Sequence, residues 1–115
     1  MSNVPAPTTD PESARRDLDR FGVGILRDVL TPQETADIRQ RLFDSIAVSE
    51  EDNVPTQGSA FDPDERNLRV WHLLNLDPVF VELTRNPTAL EFVRYLLGDD
   101  FLISNCSANI TKPGN

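Results

Sequence analysis

The sequence is short of cysteine and histidine, the residues on which many metal and redox sites depend. Its 115 residues include one cysteine and one histidine. A single cysteine excludes an internal disulfide. Cys106 lies in an alternating apolar stretch, where we expect a buried thiol in a reducing compartment. No activating base is evident on the same face of that stretch, so the pattern does not favour a catalytic thiol.

Basic residues and long apolar runs are also scarce. The chain has 11 Lys and Arg residues but 19 Asp and Glu residues, which gives a formal net charge of −8. The average field therefore repels nucleic acid and anionic membrane surfaces. No apolar run approaches the roughly 20 residues that span a bilayer, and residues 1–9 lack the features of a signal peptide. We expect a cytoplasmic protein with residues 1–9 as a disordered lead-in.

Four helix starts share one chemistry, a capping side chain followed by proline at the first helical position. They are Asp10-Pro11, Thr31-Pro32, Asp77-Pro78 and Asn86-Pro87. Glu34 completes a capping box with Thr31. These signals and the apolar spacing that follows them predict helices over 11–21, 32–48, 78–86 and 87–97.

Three segments have the composition of strands. They are residues 23–29, 68–74 and 101–111. In the last of these, small apolar residues alternate with Ser107, Asn109 and Thr111, which predicts one packed face and one face towards a wet cavity. In the middle segment, His72 shares a face with Leu68 and Val70, so we interpret it as a half-buried structural residue rather than a metal ligand.

Residues 49–67 form a long acidic loop without a sustained period. Its carboxylates raise the alternative of a calcium site, but Asp62-Pro-Asp-Glu65 lacks the glycine and the spaced terminal glutamate of a 12-residue calcium loop. We therefore predict a solvated acidic loop and assign no metal to it.

Several segments, in their present order, resemble the N-terminal part of the phytanoyl-CoA dioxygenase-like family of non-haem iron and 2-oxoglutarate oxygenases. The resemblance runs from about residue 15 almost to the last residue. The segments that carry it are Asp19-Arg-Phe-Gly-Val-Gly-Ile-Leu26, Asp28-Val-Leu-Thr-Pro-Gln-Glu34, Pro78-Val-Phe80 with Leu83, Asn86-Pro87, Leu96-Leu-Gly-Asp-Asp-Phe-Leu102 and Asn109-Ile-Thr-Lys-Pro-Gly114.

The resemblance implies an α+β fold, the N-terminal part of a double-stranded β-helix of the jelly-roll or cupin type with buttressing helices. It also implies Fe(II) and 2-oxoglutarate as cofactors and a small organic substrate. The family's iron ligands are a His-x-Asp/Glu pair and a distal His. His72 is followed by Leu73-Leu74, so no residue here matches a ligand. We therefore expect residues 10–115 to be the N-terminal part of a single domain whose metal motif follows later in the sequence. We expect this part to be inactive alone and to pack against the C-terminal part of the same domain.

The resemblance carries over a few site residues. Arg69 matches the basic side chain that holds 2-oxoglutarate in relatives, with Asn109 and Thr111 beside the cosubstrate and with Ser107 and Trp71 in the substrate pocket. A guanidinium binds a carboxylate bidentately, which supports the role of Arg69. The alternative is that Arg69 pairs with the acidic loop. A register slip by one residue would instead turn Cys106, Ala108 and Ile110 inward.

A second hypothesis belongs to a different class of protein. The chain could be a self-standing acidic α+β interaction module without catalysis, in which the polar face of residues 101–111 is solvated. The polar alternation fits both hypotheses, because a strand face of Ser, Asn and Thr suits either a wet cavity or the open solvent.

Overall fold

The structure is a computed structural model that describes residues 3–57 and 66–114. Within these ranges the chain is α+β, with five helices and a two-stranded sheet. The acidic residues considered for calcium binding, Asp62, Asp64 and Glu65, lie outside the described residues. In chain order the elements are α1 Pro11–Phe21, α2 Pro32–Glu51, β1 Asn67–Val70, α3 Leu73–Leu76, α4 Pro78–Thr84, α5 Pro87–Leu97 and β2 Ala108–Thr111.

All four predicted helix starts are confirmed. Each capping side chain accepts a hydrogen bond from a backbone N–H of the first turn, and a proline follows each cap. The capping box of α2 is complete, because Glu34 N–H donates to Thr31 Oγ1 at 3.1 Å and Thr31 N–H donates to Glu34 Oε1 at 3.0 Å. Helix α2 ends at Glu51, three residues beyond the predicted end at Val48.

The core forms where α2 crosses one face of the sheet. Val70, Leu73 and Phe80 are buried, and side chains of α2, α3, α4 and β2 pack around them. Strands β1 and β2 are antiparallel, and Val70 is the Cα partner of Ala108. The surrounding half-buried residues are Ile38, Leu42, Ile46, Leu74, Leu76, Val79, Cys106 and Ala108. The thiol of Cys106 is therefore half-buried at the core edge rather than fully buried.

An ion pair links two helices of this core. Arg41 on α2 donates from Nη1 to Asp77 Oδ1 at 2.9 Å, and its Nε donates to Asp37 at 3.2 Å. The pair with Asp37 is local to α2, four residues apart, whereas the bond to Asp77 reaches the cap of α4. Because Asp77 also accepts from Val79 N–H, the same carboxylate caps α4 and attaches it to α2.

Helices α1 and α5 contact each other away from the core that α2, α3, α4 and the sheet form. The Tyr95 hydroxyl donates to Asp19 at 2.5 Å, and the Arg15 guanidinium lies over the Tyr95 ring. The predicted apolar face of α5 is only partly covered, since Leu96 is 61% and Leu97 is 68% exposed.

The predicted strand over residues 23–29 does not form. Leu26 makes a single parallel bridge to Thr8, and Asp28 turns the chain with φ of 59°. Thr8 is the one neighbour with which this segment pairs among the described residues, so no ladder can extend. Thr8 and the buried Pro5 also show that part of the lead-in makes tertiary contacts, which the sequence did not predict.

The two remaining strands are shorter than predicted. β1 ends at Val70 because His72 takes a left-handed conformation, with φ of 59°, and Leu73 then begins α3. His72 is exposed, so its predicted half-buried position is wrong. Once β1 turns away, residues 101–107 lack a facing strand in the described part of the chain, and only 108–111 pair.

The chain buries little of its surface for its length. Its radius of gyration is 16.6 Å, whereas a compact domain of 115 residues has a radius of about 13 Å. Leu102 is 95% exposed and Ile103 is 52% exposed, in the segment that follows α5 in the chain. The small core and the exposed apolar residues together describe an open arrangement rather than a closed globule.

Replacing Gly24 by Ala should destabilise the fold. A Cβ at this position would clash with the backbone carbonyl oxygen of Ala14 in α1, and two backbone segments cannot give way as a side-chain tip can. We expect the free energy of unfolding to fall by about 1 to 3 kcal/mol. Urea denaturation measures this loss, with the neighbouring Val23→Ala as control. Equal stability of the two variants would contradict the close approach.

The Asp77 carboxylate should make stability depend on acid pH. Its pKa lies below the ordinary 3.8, chiefly because it accepts from Val79 N–H and also because it pairs with Arg41. A lowered folded pKa means that this stabilisation is present above about pH 4 and is lost as pH falls through the folded pKa. Asp77→Asn should therefore be less stable at pH 7 and lose less on acidification, as followed by thermal melting.

The control for this pH series is Glu82→Gln. Glu82 pairs with Arg85 at 3.2 Å, but both side chains are about 70% exposed, so the pair contributes little. The melting temperature of this variant should follow the unaltered chain at every pH. If Asp77→Asn and Glu82→Gln give the same acid profile, the Arg41–Asp77 pair does not support the fold.

Candidate functional site

The two faces of the β1–β2 sheet differ sharply in chemistry. Val70 and Ala108 are paired and lie on the face that packs against the core. Arg69 and Asn109 are also directly paired and, because side chains alternate along strands, lie on the opposite face. The exposure of β2 follows the same alternation, with Asn109 and Thr111 exposed and Ala108 and Ile110 half-buried. We call the side that carries Arg69, Asn109 and Thr111 the polar face.

Arg69 occupies the middle of the polar face. Its side chain is half-buried, and the guanidinium lies 5.3 Å from the centroid of the Trp71 ring. Its backbone N–H donates to Thr56 O at 2.8 Å, which fixes the strand from the side away from β2. Strand pairing thus places Arg69 opposite Asn109, while stacking holds its guanidinium over the Trp71 ring.

A cavity of about 370 Å³ lies just beyond the polar face, where β1 ends and the chain approaches β2. Leu73 N–H donates to Cys106 O at 3.1 Å, which holds the two segments together at this point. The lining residues come from the end of β1 with α3 and from the segment before β2. They are Trp71, His72, Leu74, Asn75, Ser104, Asn105, Cys106 and Ser107.

The structure thus brings all five predicted site residues to one side of the sheet. Arg69, Asn109 and Thr111 lie on the polar face, and Trp71 and Ser107 line the adjoining cavity. In β2 the exposed residues are Asn109 and Thr111, whereas Cys106 and Ser107, which belong to the two alternative registers, both line the cavity. Of the acidic residues in the predicted loop over 49–67, Asp62, Asp64 and Glu65 lie outside the described residues, while Glu50 and Glu51 belong to the last turn of α2.

Sequence reasoning missed the contribution of His72, Asn75 and Asn105 to this cavity. His72 and Asn75 lie at the turn into α3, a helix that the alternation of residues 68–74 concealed. Asn105 was placed on a continuous strand. A local signal did exist for α3, because Asp77-Pro78 marks an interruption directly after Leu76, but it did not reveal the left-handed residue.

The described groups with a shifted pKa are not among the residues that line the cavity, and two of them lie at α1 and α5. Donation of the Tyr95 hydroxyl to the Asp19 carboxylate raises the tyrosine pKa, and the bond to the Ser13 side chain lowers the pKa of Asp10. Both groups belong to α1 and its contact with α5. Within the ranges that the structure describes, there is also no group of three His, Cys, Asp or Glu side chains placed to hold a metal ion.

The amino-acid sequence is similar to part of a known enzyme. Over 107 residues, or 93% of this chain, it is 38% identical to Dioxygenase af480 of Aspergillus fumigatus. The match covers 35% of that protein, so this chain spans about a third of its length. The chain is similar to a part of a dioxygenase.

The other comparisons add no further relationship. No family model matches the chain, and no solved structure matches it. In the described part of the chain, none of the helices is both long and apolar enough to cross a membrane.

The left-handed conformation of His72 gives a direct test of strain at the cavity. A residue with a Cβ is disfavoured at φ of 59°, whereas glycine adopts this conformation freely. His72→Ala and His72→Gly both remove the imidazole, but only the glycine relieves the backbone. We expect the free energy of unfolding of the glycine variant to exceed that of the alanine variant by about 1 kcal/mol.

Urea denaturation of the two variants measures this difference. The same Ala and Gly pair at Asn75, which lies inside α3 where the helix disfavours glycine, serves as the control. There the glycine variant should be the less stable one. A glycine penalty of the same sign at position 72 would mean that the left-handed conformation is not maintained in solution.

Proposed function

We propose that this chain is the N-terminal part of an Fe(II)- and 2-oxoglutarate-dependent dioxygenase of the phytanoyl-CoA dioxygenase-like kind, which hydroxylates a small organic molecule. The observation that carries the proposal is the 38% identity to part of a protein named as a dioxygenase. The polar face supports it, because it presents Arg69 beside neutral hydrogen-bonding side chains at the place that the family resemblance assigns to the cosubstrate.

Arg69 is the residue to which we assign recognition of the 2-oxoglutarate carboxylate. Its guanidinium presents several N–H donors in one plane, a geometry that matches two carboxylate oxygens. Half-burial against Trp71 reduces competition by water and limits the motion of the side chain. On a chain with a net charge of −8, a fixed cation is also what an anionic cosubstrate requires locally.

The neighbouring side chains complete this assignment. Asn109 faces Arg69 across the strand pair, and Thr111 lies two residues along on the same face, so both can offer hydrogen bonds to the same molecule. Trp71 and Ser107 line the adjoining cavity, where we place the substrate. The cosubstrate and substrate sites would then adjoin along a single side of the sheet.

The iron ligands belong, in this proposal, to the part of the longer protein that the chain does not include. The described residues contain no three-ligand group, and the chain has a single histidine, so they do not fit the metal by themselves. When bound, Fe(II) supplies the activation of O₂ that the reaction needs. The residues of this chain bind and orient the organic molecules beside it.

The fold that we propose for the longer protein is a double-stranded β-helix, with β1 and β2 in one wall and α2 and α5 against the outside. The exposed apolar residues support this assignment. Leu97 at 68% and Leu102 at 95% exposure are the kind of surface that a larger domain would cover. The radius of gyration, larger than that of a compact domain of this length, points the same way.

Replacing Arg69 by Ala in the enzyme expressed from the whole reading frame tests the proposal. The loss of a charge-assisted hydrogen-bonded pair of about 1.5 to 3 kcal/mol should raise the KM for 2-oxoglutarate roughly 10- to 100-fold. Succinate formation at varied 2-oxoglutarate concentration, with Fe(II) present, measures this change. The KM for the organic substrate should change much less.

Arg39→Ala is the matched control. Arg39 is also an arginine stacked on an aromatic ring, with its guanidinium 4.9 Å from the Phe43 centroid, but it lies exposed on α2. Its replacement should leave the 2-oxoglutarate KM unchanged. Succinate formation independent of 2-oxoglutarate, or a reading frame that encodes no His-x-Asp or His-x-Glu after residue 115, would refute the assignment.

A further inference from the structure

We propose that the cavity beyond the polar face binds an uncharged molecule, one with an apolar body and hydroxyl or carbonyl groups. This inference rests on the proposed function, for which it names the substrate class. The cavity is the one lined by Trp71, Leu74, Asn75, Asn105 and Ser107, with His72 at the turn. Its volume of about 370 Å³ lies at the lower end of the range of about 300 to 1,000 Å³ for small-molecule pockets.

The lining of the cavity is uncharged in its acidic and basic residue types, which is the first reason to expect an uncharged ligand. None of the lining residues that the structure describes is Asp, Glu, Lys or Arg. A charged ligand would lose hydration on entering without gaining an opposite charge from the lining, and the guanidinium of Arg69 on Trp71 is assigned to the cosubstrate. The net charge of −8 makes an anion less favourable still.

The position of Arg69 makes a cation unfavourable as well. Trp71 is the aromatic wall of the cavity, and an indole is the ring on which a cationic ligand would stack. The Arg69 guanidinium already lies 5.3 Å from the centroid of this ring. A second positive charge on Trp71 would meet repulsion from the first, so the ring offers apolar contact instead.

The polar lining selects hydroxyl and carbonyl groups. The amides of Asn75 and Asn105 both donate and accept hydrogen bonds, and so does the Ser107 hydroxyl. These neutral groups are satisfied by hydrogen bonds to neutral partners, and none of them requires a counter-charge. Leu74 and Trp71 provide the apolar surface against which the rest of the molecule packs.

The backbone at His72 gives an independent reason to assign binding to this cavity. A non-glycine residue in the left-handed conformation is strained, and such strain clusters at ligand sites. The turn is retained by two backbone bonds, Leu73 N–H to Cys106 O at 3.1 Å and Asn75 N–H to His72 O at 2.9 Å. This turn places the exposed imidazole of His72 on the cavity lining. A glycine at position 72 would remove the backbone strain but would supply no side chain to the cavity.

The chain contains one tryptophan, and it lies in the cavity, so its fluorescence reports binding directly. We would titrate the 115-residue chain with three saturated bicyclic probes of one shape that differ in charge. They are decahydro-2-naphthol, decahydro-2-naphthoate and protonated decahydro-2-naphthylamine, none of which absorbs where tryptophan is excited. The alcohol should give a saturable spectral shift with Kd on the order of millimolar. Because Arg69 is assigned to a carboxylate, all three probes are also titrated against the Arg69→Ala chain, and there both charged probes should bind at least about tenfold more weakly than the alcohol.

Ser107→Ala should weaken binding of the alcohol about fivefold, the usual effect of one neutral hydrogen bond. Thr35→Ala is the control, because Thr35 is an exposed hydroxyl residue on α2 and not part of the cavity lining. It should leave the Kd unchanged. Circular dichroism establishes that each variant folds, and the comparison of the alcohol with the amine needs no variant at all.

Any of three results would overturn the inference. They are no saturable response to the alcohol, an equal response of the Arg69→Ala chain to all three probes, and tighter binding of either charged probe by that chain. The titration involves neither iron nor 2-oxoglutarate, so it is independent of the test at Arg69. A chain that binds the alcohol while the enzyme shows no 2-oxoglutarate dependence would separate the cavity from the proposed reaction, and the reverse result would reject the cavity alone.

Discussion

The antiparallel pairing of β1 with β2 is the constraint on which the rest of the structure depends. It joins residues about forty positions apart and places Val70 opposite Ala108 on the core face. The same register fixes Arg69 opposite Asn109 on the other face. A slip of one residue would exchange the two faces, so core packing and the assembly of the polar face are determined by a single set of hydrogen bonds.

The features that the sequence predicted well are those set by neighbouring residues. Each of the four helices that begin with a cap and a proline is decided within one turn, and Asp10 and Thr31 show the expected bonds. The predicted strands are longer than the observed ones, because a strand forms only where a partner strand, distant in sequence, lies beside it. In the described part of the chain, residues 23–29 pair only with Thr8, and residues 101–107 face the point where β1 has already turned away at His72.

The candidate site was predictable to the extent that it follows from alternation. Alternation separates Asn109 and Thr111 from Ala108 and Ile110 whatever the partner strand is. It could not show that Trp71 and Ser107 line a common cavity, since this depends on the left-handed turn at His72. No residue type in the sequence signals that turn, because the chain uses histidine where glycine is the usual choice.

The two kinds of exposed surface on this chain have different meanings under the proposed function. Leu97 and Leu102 are exposed apolar side chains, and their removal from water by further polypeptide would be favourable. They therefore favour association with the rest of a larger domain. Arg69, Asn109 and Ser107 gain nothing from dry burial, because each would need a new partner. Covering polypeptide is therefore expected to pack on α5 while the polar face stays hydrated until small molecules replace the water. Under the proposed function, the distribution of apolar and polar residues thus distinguishes the side expected to pack against the rest of the domain from the side proposed to bind ligands.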